Sequence, residues 1–195
     1  MSTDTEQQVG SIDAAGNWMP PEPSSNAVPP PGEYRLHILK VDQKPTKKGM
    51  PMDTFEFEII SPETATIDGQ NCRIAGHKLT HWNSFQLEGK GAALLGNAIE
   101  FAGDCGVNLT QIRAKSPADY IKQLQVQSAK LGGMAVTATL AHEPRYKLRQ
   151  LTPEQKALGE RPTEELDANG QKIVTGNRLV IKSLHKGTAT RIGGF

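Results

Sequence analysis

From Tyr34 to Val41 the chain alternates, with Tyr34, Leu36 and Ile38 on one side and Arg35 and His37 on the other, the period of a half-buried strand. A second alternating run follows closely. Phe55, Phe57 and Ile59 interleave with Thr54, Glu56 and Glu58, and the intervening KPTKKGMP carries Pro45 and Gly49 as turn residues. Asp68-Gly69 marks another turn, after which Cys72 to about Phe85 reads as a third extended run bent at Gly76. These three runs predict a meander.

The period then changes. Leu95, Ala98, Ile99 and Ala102 recur at helical spacing between Gly89 and Ala102, with Gly103 expected to close the helix. A second helix, Ala118 to Leu131, is marked by Ser116 as cap, Pro117 in the first turn, Asp119 at the positive helix end, and Gly132-Gly133 beyond it. Met134 to Ala141 alternates again, and Gln171 to Leu184 predicts a last strand centred on Val180 and Ile181. Between them, 143–170 reads as a long charged loop with a short helix at Glu154 to Leu158 and a turn at Asp167 to Gly170. Mainly β, with one or two helices between strands 3 and 4, this order is that of an OB-fold-like five-stranded barrel. A β-sandwich decorated with helices is the competing architecture, because alternation alone does not close a barrel.

Composition alters the picture at the ends of the chain. Residues 1–31 are rich in Ser, Gln, Gly, Asn and Pro and predict a disordered arm, followed by a domain over 32–188 and a tail over 189–195. Residues 1–32 hold Asp4, Glu6, Asp13 and Glu22 and no Lys or Arg, so the net charge of +1 leaves the remainder at +5. That modest excess favours a polyanion partner. No apolar run reaches the roughly 18 residues of a membrane span, and no signal-peptide layout opens the chain, so a soluble, cytoplasmic protein is expected. Cys72 and Cys105 lack CxxC spacing and are expected as reduced thiols.

Three basic clusters carry candidate chemistry. Lys44, Lys47 and Lys48 occupy the first hairpin loop, with Arg35 and Lys40 on the strand before it; flexible ammonium groups there can track phosphates, although turn lysines also serve to suppress aggregation. In the third run, Lys78, Thr80 and Trp82 share an outer face if Leu79 points inward, so that a base could stack on the indole; the opposite phase buries Trp82. Arg145, Tyr146, Lys147 and Arg149 open the long loop, as a clamp or as a solvated charged segment. Glu56 and Glu58 on strand 2 oppose phosphate binding unless their face turns away from the groove.

Other chemistries find little support. Cys72, His77 and His81 lack metal-site spacing, Gly89-Lys90-Gly91 lacks the rest of a Walker motif, and no nucleophile elbow or carboxylate pair appears, so no catalysis, metal or cofactor is expected. Lys90, near a helix start, could still receive a phosphate.

The run Pro31-Gly32-Glu33-Tyr34, then Thr46-Lys47-Lys48-Gly49-Met50-Pro51-Met52, then Phe55-Glu56-Phe57-Glu58-Ile59, with a helix at Gly91 to Ala102, resembles single-stranded DNA-binding proteins encoded in bacteriophage replication and recombination modules. The likeness covers residues 29–105. It implies an OB-fold that coats single strands without sequence preference in the infected host's cytoplasm, with phage replication or recombination proteins and further copies of the chain as other partners. Where such proteins often end in an acidic tail, this chain ends Thr190-Arg191-Ile192-Gly193-Gly194-Phe195, and its acids precede the fold. Two alternatives remain at this level: a phage assembly protein using the barrel to oligomerise, and a sugar-binding OB domain, which Lys78 beside Trp82 disfavours. About 4 to 6 phosphate contacts imply a log affinity against log salt slope of roughly −3 to −4. If the acidic arm competes with DNA for the basic groove, deleting residues 1–30 tightens oligo-dT binding at low salt; unchanged affinity in a filter-binding titration would reject that competition.

Overall fold

Alternating burial builds the first two long strands of the chain. In the computed structural model, which describes residues 11–12, 18–19, 28–85, 91–158 and 160–192, β3 (Gly32–Gln43) and β4 (Met52–Ser61) pair antiparallel, with Leu36 opposite Ile59 and Ile38 opposite Phe57. Tyr34, Leu36 and Ile38 from β3 and Phe55, Phe57 and Ile59 from β4 are buried. Register shifts at Arg35/Leu36 and Ile38/Lys40 bend the pair, as bulges do. Ahead of them, β1 (Ser11–Ile12) and β2 (Trp18–Met19) form a separate two-stranded ladder.

The third expected run divides in two. β5 (Thr64–Ile67) and β6 (Gln70–Arg73) make a hairpin through Asp68 (φ 51°) and Gly69 (φ 81°), the conformation a tight primed turn requires. Gly76, at φ 91°, then interrupts the chain before β7 (Lys78–Ser84), which pairs with β4. A left-handed residue cannot continue a strand, so Cys72 to Phe85 is not one extended run.

Helix α1 (Gly91–Asp104) passes the glycine expected to end it. The N–H of Val107 donates to Ala102 O and that of Gly106 to Gly103 O, a Schellman closure centred on Gly106 at φ 113°. Gly103 serves packing instead, because a Cβ there would sit 2.9 Å from Leu109 Cδ1. After a 3-10 turn at Leu109–Gln111, α2 (Pro117–Ser128) begins as its sequence predicts, with Ser116 Oγ accepting from the Asp119 N–H at 3.2 Å. β8 (Met134–Tyr146) runs five residues beyond the predicted Ala141, α3 (Pro153–Ala157) starts in a capping box, and β9 (Val174–Leu184) and β10 (Thr190–Arg191) follow.

The main sheet has six antiparallel strands in the order β10-β8-β3-β4-β7, with β9 also laced to β8. β9 and β10 share one edge of β8, taking Ala138–Tyr146 and Met134–Ala135 respectively. The expected five-stranded barrel is therefore an open sheet. Its ends, β7 and β9, approach within 8 Å between Cα atoms, yet no ladder joins them. α1 and α2 supply Ala98, Ala102, Ile121 and Leu124 to the core, where the Phe101 ring meets Phe55 edge-on at 5.2 Å.

Contacts with the fold extend past 32–188 at both ends. Pro29 is fully buried, Pro29 O accepts from His142 Nε2 at 2.7 Å, and Pro30 O accepts from the Tyr34 hydroxyl at 2.6 Å. At the other end, Ile192 N–H donates to Gly133 O. Within the segment expected as a disordered arm, Ser11–Ile12 and Trp18–Met19 instead pair as β1 and β2, while residues 1–10, 13–17 and 20–27, the tip at Phe195, Gly89 and Lys90 lie outside the described residues. Cys72 is half-buried and Cys105 buried, both as free thiols. No described helix is long and apolar enough to cross a membrane.

One buried carboxyl fastens α2 to the sheet. Asp53 has no solvent exposure; its Oδ1 accepts from Gln125 Nε2 at 2.8 Å, while Oδ2 has the buried Ser128 hydroxyl beside it without a regular hydrogen bond. Burial pushes its pKa above 3.8, against the opposing effect of the Gln125 and Ser128 side chains. The folded state thus holds the proton more tightly than the unfolded chain, and stability contributed at this site falls as pH rises from about 3.8 through the raised folded value. Asp53→Asn keeps the Gln125 bond and cannot titrate. In urea denaturation the stability of the native chain relative to this variant is expected to fall between pH 4 and pH 7; a pH-independent difference contradicts the assignment.

Candidate nucleic-acid interface

The bare edges of β7 and β9 face each other across a trough in two chambers. The wider, about 780 Å³, is lined by Lys78, Thr80, Arg145, Asn177 and Arg178, among others; the narrower, about 520 Å³, by Ser84, Glu100, Asp104, Lys182 and Lys186 on the α1 side. His81, Trp82 and Ile181 line both and form the waist. Strand alternation decides which side chain stands there. With Leu79 and Asn83 buried, Lys78, Thr80 and Trp82 take the opposite phase, and Trp82 is 57% exposed. Its indole is therefore exposed rather than core, whereas Phe85 is core.

The waist has a rigid floor. The His81 ring stacks on Phe101, 4.0 Å between centroids and 10° between planes. Asn83 Nδ2 donates to Ala98 O at 3.3 Å, so its Oδ1 accepts from His81 Nε2–H at 3.0 Å, leaving Nδ1 of the neutral ring without a proton. Burial holds the His81 pKa below 6.5, against the smaller opposing effect of Asn83, and burial lowers His77 likewise. The imidazole is uncharged at neutral pH.

Among the described residues, five cations line the trough against three carboxylates, Glu100, Asp104 and Glu143. Two of the five are already paired. Arg178 Nη2 lies 2.8 Å from Glu143 Oε2, directly across the β8–β9 ladder, and Lys186 Nζ lies 2.6 Å from Glu100 Oε1. Among the described residues, Lys78, Arg145 and Lys182 have no carboxylate within 4 Å.

The residues expected from sequence divide accordingly. Lys78, Trp82 and Arg145 converge on the wider chamber. Lys44, Lys47 and Lys48 are exposed on the β3–β4 loop, which leaves the sheet beside Met52 and Ser84, but they line neither chamber. Arg35 is spent on the fold: its guanidinium donates to Thr137 Oγ1 at 3.1 Å, to Thr188 O at 2.7 Å and to Thr190 Oγ1, tying β3 to the segment before β10. Lys40 sits between Asp42 at 2.9 Å and Glu56 at 3.1 Å. Tyr146 lies beneath Lys172, 5.0 Å from nitrogen to ring centroid, and Lys147 pairs with Glu165 at 2.9 Å; both brace the β8–β9 connection outside the trough. Glu56 and Glu58 also stand outside both chambers.

Sequence reasoning missed Asn177, Arg178, Lys182 and Lys186. A signal existed in the alternation of Arg178, Val180 and Lys182 along the last strand, the phase that puts two cations on one face. Elsewhere, His185 Nε2 meets Thr139 Oγ1 at 2.9 Å and its Nδ1 lies 3.4 Å from Glu33 Oε2. This line follows a nucleophile-base-acid order but lines neither chamber of the trough, and its place across β3, β8 and the end of β9 makes it a tie between strands. Among the described residues no group of three or more His, Cys, Asp or Glu is arranged to hold a metal ion. No protein-family model matches the chain, and no curated protein matches it.

Proposed function

We propose that this chain is a non-catalytic, sequence-independent single-stranded DNA-binding protein of a phage replication or recombination module, and that the strand lies in the β7–β9 trough across Trp82. The long strands run β3-β4-β7, then helices, then β8-β9, with β3 between β4 and β8. That order is compatible with an OB barrel left open at its final seam, a fold that binds oligonucleotides across strands 2 and 3 and through its loops. The observation that carries the reading is the exposed indole at the waist, with Lys78 and Arg145 on one side and Lys182 on the other. Every base has a π-face, so stacking on Trp82 is indifferent to sequence, while the cations need only phosphates.

A protein partner is the second reading. The β8–β9 connection exposes Leu148, Leu158 and Leu166, and Val174 at the start of β9 is also exposed, which suits contact with replication proteins or with other copies of the chain.

Binding of a fluorescein-labelled oligo-dT, followed by anisotropy at several salt concentrations, tests the DNA reading without interference from Trp18. Three unpaired cations predict a log affinity against log salt slope of about −2, and Trp82→Ala is expected to weaken binding roughly 5- to 150-fold, the equivalent of about 1 to 3 kcal/mol per stacked base. Salt-insensitive binding, or full affinity in Trp82→Ala, contradicts it. Lys78→Ala should make the slope shallower by about 0.7, whereas Lys40→Ala should leave it unchanged.

A further inference from the structure

The trough carries its own anions where a strand's phosphates would lie. Glu143 and Arg178 are direct cross-strand partners, both about half exposed and both on the wider chamber beside the unpaired Arg145. Glu100 and Lys186 repeat the arrangement in the narrower chamber beside the unpaired Lys182. An exposed pair of this kind gains little stability, about 0 to 1 kcal/mol, so either cation can exchange its partner at small cost. A phosphate oxygen is a comparable acceptor for a guanidinium or ammonium group.

Resting on the DNA-binding reading above, we propose that Glu143 and Glu100 are resident phosphate surrogates. Each holds a trough cation in place in the free protein and competes with the incoming backbone for it, so that affinity is set by ion-pair exchange and not by the full count of cations. The two carboxylates differ in weight. Releasing Arg178 from Glu143 leaves a cation with no other carboxylate partner within 4 Å among the described residues, whereas Lys186 stays within reach of Asp104, whose pKa burial raises while the lysine's charge opposes that rise. The wider chamber should therefore show the larger effect. In functional terms the arrangement suits a protein that must cover strands and be displaced from them, because each departing phosphate is replaced by a carboxylate already at hand.

The test uses the full chain and the same labelled oligo-dT. Glu143→Gln is expected to tighten binding about two- to fivefold at low salt and to steepen the salt slope by about 0.7, as one further phosphate contact becomes available. Glu100→Gln should move both quantities in the same direction by less. Glu165→Gln frees Lys147 from an ion pair of similar length outside the trough and should change neither. Adding Arg178→Ala to Glu143→Gln should abolish the gain. If Glu143→Gln binds no tighter, with an unchanged slope, while the native chain binds oligo-dT and loses affinity in Trp82→Ala, the pair is a strand staple and the surrogate role is wrong although the DNA reading stands. Absence of any oligo-dT binding removes both.

Discussion

Among the described residues, β7 and β9 each have one laced edge and one bare edge, and the rest of the fold follows from that. A fully laced seam would have closed the sheet and removed the trough; a wide separation would have exposed the core. What holds the edges near one another is lacing elsewhere: β3 is hydrogen-bonded to both β4 and β8, and β8 in turn to β9, so the curl of the sheet delivers its two ends to the same side. Bulges in β3 add curvature, and α1 covers the sheet beneath the waist, its Phe101 ring under His81.

The polar groups of the site take their character from this packing. His81 is neutral because it is buried on a ring, and Trp82 is exposed because its neighbours Leu79 and Asn83 fix the phase of the strand. The charges are ordered less by burial than by register. Glu143 faces Arg178 because β8 and β9 pair residue for residue there, and the same ladder sets Arg145 opposite Gly176, where no side chain answers it. Paired and unpaired cations are thus interspersed over β7, β8, β9 and the turn after β9, instead of forming a uniformly positive row.

How much of this was legible in the chain varies by element. The strands around Tyr34–Val41 and Phe55–Ile59 and the helix capped by Ser116 follow from local patterns, because alternation and capping act within a few residues. The end of α1 was misplaced because Gly103 and Gly106 look alike in sequence, and what separates them is Leu109 packing on one and a left-handed backbone at the other. Arg35 and Lys147 read as free cations because nothing local reveals that Thr188 and Glu165 will come to meet them, whereas Lys40 has a local partner in Asp42, two positions on along the same strand.

The amino-acid sequence by itself determined the alternating strands around Tyr34–Val41 and Phe55–Ile59 and the two main helices, the outward phase of Lys78, Thr80 and Trp82 once Leu79 turns inward, and the separation of an acidic leading segment from a basic remainder. Tertiary structure alone decided that the sheet stays open, that Arg178 and Lys182 join Lys78 and Trp82 along one trough, and that two of its five cations arrive already matched. The reason is physical: side-chain phase is a property of neighbouring residues, whereas pairing of charges 30 or more positions apart exists only after hydrogen-bond register has brought distant strands together.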